Sequence, residues 1–160
     1  MGQLTTACTL ALLLLATAAF GQTTKQAKME QLSFMVGEWI GTTTSYENGA
    51  VTRQGAAYEK VSYDLDRHLL VIELNTPFLQ LHTLIYYDDE DETFYYQPFS
   101  KNGTNRYPAK LNDGQLTVWA SETRRYVFGS TANGGFQEYG EQLINGQWVK
   151  YFEDTFQNTQ

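Results

Sequence analysis

The chain has 160 residues, with 18 acidic against 11 basic side chains, a formal net charge of −7 and 42% hydrophobic content. That length supports one domain with a real core, but not two. The negative balance disfavours nucleic acid and anionic membrane surfaces as partners, because both require a basic face.

In chain order, the first element is "MGQLTTACTLALLLLATAAFGQ", apolar from Leu10 to Ala16 and without a charged side chain before Lys25. Ala19 and Gly21 have the spacing of a signal-peptidase site. Residues 1–21 are therefore expected to be a secretory signal peptide cleaved before Gln22, leaving a single domain over 22–160 that is secreted or periplasmic. The apolar run is well short of the roughly 20 residues that span a bilayer, so no membrane insertion is expected after cleavage. The single cysteine, Cys8, lies in this leader, which leaves the mature chain without a disulfide, a thiolate nucleophile or a cysteine metal site.

Between Thr24 and Met35, Ala27, Met29, Leu32, Met35 and Val36 recur at helical spacing, which predicts one short helix with Thr24 as N-cap. All later segments read as strand and turn. Asn48-Gly49, Asn102-Gly103, Asp113-Gly114, Asn133-Gly134 and Asn145-Gly146 accept the positive φ of tight hairpins. Between them lie runs such as "HLLVIELN", "LHTLIYY", "TFYYQPF", "QLTVWAS" and "QWVKYFEDTF", rich in β-branched and aromatic residues. About ten strands with short connections and no helical crossover predict an all-β fold, a single antiparallel up-and-down closed barrel. The short N-terminal helix is expected to plug one end.

"FMVGEWIG" marks the change from helix to strand. Trp39 is expected to pack beneath the plug, and the flanking Gly37 and Gly41 relieve crowding there. This glycine-x-tryptophan signature resembles that of the calycin superfamily, the lipocalins and fatty-acid-binding proteins. With "LIYYD" in the middle and "EYGEQLINGQWVKYFEDTF" at the end, the chain is most similar to small exported bacterial lipocalin-like proteins. The resemblance implies a barrel that binds a small apolar or amphipathic molecule in its lumen. Haem-binding relatives that resemble nitrobindin hold iron through a histidine late in the chain. Here the histidines are His68 and His82, and none follows, so no cofactor is expected.

Candidate chemistry then rests on polar residues within strands. Glu73 interrupts "LLVIELN", where a carboxylate must face water or find a partner in a polar lumen. His82 shares a strand face with Leu84 and Tyr86 by the two-residue period. Arg124 and Arg125 point to opposite faces, as do Glu138 and Glu141; of the arginines, Arg125 is assigned inward. The expected ligand-binding set is Glu73, His82, Arg125, Tyr58 and Tyr86, a polar cluster in a tyrosine-lined cavity. The competing assignment puts these charges on the outer surface. No phosphate loop, nucleophile elbow or paired-histidine zinc motif is present, so neither catalytic nor metal-binding residues are assigned. Three functional classes stay open: a non-catalytic binding protein, a calycin-type cyclase, isomerase or lyase using Glu73 and His82 as a buried acid–base pair, and a barrel presenting its outer face to a protein partner.

Overall fold

The structure, a computed structural model, describes residues 24–159; the expected leader at 1–21 lies outside them. A helix, α1 (Thr24–Glu30), and a 3₁₀ turn (Ser33–Met35) precede eleven strands. These are β1 (Gly37–Glu47), β2 (Ala50–Asp64), β3 (Leu69–Asn75), β4 (Gln80–Asp88), β5 (Thr93–Ser100), β6 (Gly103–Thr104), β7 (Tyr107–Asn112), β8 (Gln115–Ser121), β9 (Arg124–Ser130), β10 (Phe136–Ile144) and β11 (Gln147–Asn158).

All strand pairs are antiparallel. The hydrogen-bonded order runs β4-β3-β2-β1-β11-β10-β9-β8-β7-β5, and β5 returns to β4. Ten strands thus close into a barrel, and the two-residue β6 stands outside the ring against β5. This is the up-and-down closed barrel expected from the sequence, compatible with a calycin-like fold. Three of the five dipeptide turns have positive φ at both residues: Asn48-Gly49, Asp113-Gly114 and Asn145-Gly146. That pair of values is the type I′ geometry, whose twist matches the strands it joins.

The expected helix over 24–35 is divided. After Glu30 the chain continues through i→i+3 bonds: Gln31 N–H to the Lys28 carbonyl, Leu32 to Met29 and Met35 to Leu32. Three residues per turn keep Met29, Leu32 and Met35 on one side, where a 3.6-residue helix would rotate them apart. All three are fully buried at the closed end of the barrel. The plug is also tied to the β2–β3 turn, through the Arg67–Glu30 ion pair at 2.7 Å and the bond from Gln26 to the Asp66 carbonyl.

Trp39 lies against this plug, 4% exposed, with its ring centroid 5.5 Å from that of Phe136. Its indole N–H donates to the Met35 carbonyl at 2.8 Å, satisfying a carbonyl left free where the 3₁₀ turn ends. The glycines on either side relieve two different contacts. A Cβ on Gly37 would come within 3.1 Å of the Trp39 ring, whereas one on Gly41 would meet the Thr155 carbonyl oxygen of β11 at 1.8 Å. Gly41 therefore permits the close approach of the first and last strands.

Replacing Trp39 by alanine is expected to cost about 3–5 kcal/mol through the cavity left beneath the plug. Trp39→Phe keeps most of the ring and loses the bond to Met35, with an expected cost of about 1–2 kcal/mol. Urea denaturation of the two variants checks both the size and the order of these losses.

Candidate functional site

Strand alternation divides the barrel interior by depth. At the plugged end, Trp39, Phe128, Phe136 and Phe156 stack into an aromatic floor; the Phe128–Phe136 and Phe136–Phe156 centroids lie 6.5 and 5.8 Å apart. One step towards the open end, the same strand faces carry polar groups: Thr43 on β1, Glu59 on β2, Thr83 on β4, Glu138 on β10 and Asp154 on β11. Asp154 pairs in register with both Thr43 and Glu138. Above this belt a cavity of about 700 Å³ opens, walled by Tyr96, Tyr107, Tyr126, Tyr151, Phe128 and Phe152. Its rim holds Phe78, Leu79, Arg53 and Arg124.

The three acids are enclosed almost completely: Glu59 is 0% exposed, Asp154 2% and Glu138 6%. Burial pushes the Glu59 carboxyl up to about 8, and the Asp154 charge adds to the effect. Glu138 is raised well above the ordinary carboxyl range, first by burial and then by the charges of Glu59 and Asp154. Burial raises Asp154 as well, while hydrogen bonds from Thr43 and Glu138 pull it back down. The Glu138–Asp154 hydrogen bond raises Glu138 and lowers Asp154. Both oxygens of Glu59 and Oδ1 of Asp154 have no hydrogen-bond partner. Burial also raises Tyr96, against a hydrogen bond from Thr83 that lowers it. Tyr96, Tyr126 and Tyr151, all raised by burial, thus stay neutral and present hydroxyl groups beside apolar rings.

The chain matches no protein-family model, and no curated protein is detectably similar to it. The site must therefore be read from its own chemistry. Among the described residues, no group of three or more His, Cys, Asp or Glu side chains is arranged to hold a metal ion.

The five residues expected to bind ligand lie elsewhere. Glu73 and His82 do face one another across β3 and β4, but both are exposed on the outside of the barrel. The inward parity of these strands belongs to Leu70, Ile72 and Leu74 and to Thr83, Ile85 and Tyr87. Turning Glu73 inward would expose those three β3 side chains, and the apolar set decides the face. Tyr58 is 40% exposed and shares a shallow outer depression with Glu73 and His82. Tyr86 packs on the outer Tyr95, with the Arg106 guanidinium 5.7 Å from its ring.

The inward arginine is Arg124, and Arg125 faces out. Arg125 pairs with Glu141 at 2.7 Å, and its guanidinium lies 4.3 Å from the Trp148 ring and 5.8 Å from the Trp119 ring. Choosing Arg125 as the inward member would have placed Tyr126 and Phe128 outside, whereas both line the cavity. The expected Glu73–His82–Arg125 lumen cluster is not formed. The acids found in its place have a signal in the sequence: Glu59 shares parity with Ala57 and Val61, Glu138 with Phe136, and Asp154 with Phe152 and Phe156.

The raised carboxyls give stability a pH dependence of known sign. Each acid binds its proton more tightly when folded than when unfolded, so ionisation opposes folding. For Glu59 the full stability is present below its unfolded value of 4.5 and declines as the pH rises towards about 8. A loss of about 3–5 kcal/mol between pH 4.5 and 8 is expected from this one group. Thermal denaturation from pH 5 to 8 should show a falling midpoint for the parent protein. Glu59→Gln should have a flatter profile and the higher midpoint at pH 8.

Proposed function

We propose that this is an exported, lipocalin-like binding protein that carries a small, largely apolar molecule with a polar group in its lumen, without transforming it. The observation that carries this reading is the cavity of about 700 Å³, floored by a polar belt and walled by tyrosine and phenylalanine. Its size suits one small molecule. Aromatic walls supply apolar contact area, while the tyrosine hydroxyls and buried carboxyls supply the few fixed polar contacts that orient a ligand. Export is supported by the leader pattern at 1–21. The enzyme alternative draws on Glu73 and His82 as an enclosed acid–base pair, and both side chains are exposed.

The test is titration with the neutral fluorophore N-phenyl-1-naphthylamine. Saturable enhancement at one site per chain is expected. Ser45→Trp, which adds bulk at a cavity-lining position near the mouth, should weaken binding about tenfold or more, while Glu73→Ala and His82→Ala should leave it unchanged. Loss of binding in the two outer-face variants, with Ser45→Trp unaffected, would move the site to the outer depression and overturn the proposal.

A further inference from the structure

Resting on this reading of the lumen, we propose that the polar group of the ligand is an amine, bound as its ammonium ion between Asp154 and Glu138 at the base of the cavity. Both residues line the cavity, and both are more than nine-tenths buried. Asp154 brings an oxygen, Oδ1, that no group among the described residues satisfies, and Glu59 behind it contributes two more unpaired oxygens to the same acidic environment. The deficit is therefore in donors and in positive charge. An ammonium supplies both, since it carries N–H donors, no acceptor and a unit charge.

The alternatives fit less well. A carboxylate or phosphate would add negative charge beside Asp154, whose own charge already raises both glutamates, and would leave Oδ1 unpaired. A neutral alcohol could donate only one hydrogen bond. The donor set is not arranged for a metal ion. Arg53 and Arg124, the basic side chains that line the cavity, are exposed at the rim, with their guanidinium groups 4.9 Å from the Phe78 ring and 5.0 Å from the Tyr151 ring. Both stand at the entrance, and neither pairs with the acids at depth. The rings of Tyr96 and Tyr126 line the space above the acids, and tyrosine faces attract a cation before it reaches a carboxylate.

The experiment uses three probes that share one ring system and differ in the terminal group: tryptamine, indole-3-ethanol and indole-3-acetate. Each is titrated calorimetrically into the full mature protein at pH 7. Tryptamine is expected to bind at least about tenfold more tightly than indole-3-ethanol, as one charge-assisted hydrogen-bonded contact implies, and indole-3-acetate should be weakest. Asp154→Asn should abolish the preference for tryptamine over indole-3-ethanol. Glu138→Gln serves in its place should Asp154→Asn not fold, and the order of the three probes on the parent protein needs no variant. Equal or tighter binding of the alcohol or the acetate would overturn the amine assignment and leave a lumenal binding site standing. Failure of all three probes to bind, or to displace N-phenyl-1-naphthylamine, would overturn the amine assignment; failure of that fluorophore itself to bind would remove the lumenal reading beneath it.

Discussion

Closing the ring brings Glu59, Glu138 and Asp154 into a space where, among the described residues, no cationic side chain pairs with them, and the rest of the lumen is organised around that constraint. A carboxylate cut off from water and left unpaired costs several kcal/mol, so such groups retain protons or acquire partners. Here two devices act together. Glu138 is held well above the ordinary carboxyl range, and hydrogen bonds from Thr43 on the neighbouring strand and from Glu138 lower Asp154. Glu59 has only the first of these, its carboxyl held up to about 8.

The depth of the acids matters as much as their identity. Beneath them the aromatic floor and the plug residues Met29, Leu32 and Met35 leave no route to solvent. Above them the cavity reaches the rim between the β1–β2 hairpin and the loop at residues 76–79. Access is thus from one end. The outer face resolves its own charges by separate means: Arg125 is held by Glu141 beside Trp119 and Trp148, and Arg106 lies 3.5 Å from the Tyr95 ring while pairing with Asp88. These are half-exposed contacts that stiffen strands, and they stand apart from the lumen.

Much of the architecture is legible in the sequence, because turn chemistry and strand propensity are local. The Asn-Gly and Asp-Gly pairs locate hairpins, the β-branched and aromatic runs locate strands, and the glycines about Trp39 mark its crowding. The choice of face is not local. On β4 both parities, His82-Leu84-Tyr86 and Thr83-Ile85-Tyr87, carry apolar bulk, and the decision comes from the neighbouring strand, where Leu70, Ile72 and Leu74 require burial. Charged residues within apolar strands looked like lumen groups, yet Glu73 is the member of its strand that faces water. Asp154 escaped notice because "FEDTF" places two acids side by side, and only the parity shared with Phe152 and Phe156 shows which one turns inward.

The ring is sealed by the two strands most distant in sequence. β1 pairs with β11 from Trp39 opposite Asn158 to Ser45 opposite Phe152, and Thr159 bonds back to the Glu38 carbonyl. A chain emerging from its amino end therefore carries Glu59 in a half-built wall, open to water and free to ionise, until the last dozen residues arrive with Asp154. Enclosure of the acids and completion of the barrel both depend on a pairing between residues more than a hundred positions apart, a non-local contact of high closure entropy. The same pairing that closes the ring thus completes the enclosure of the acids, and protonation of the carboxyls favours the closed barrel over the open one.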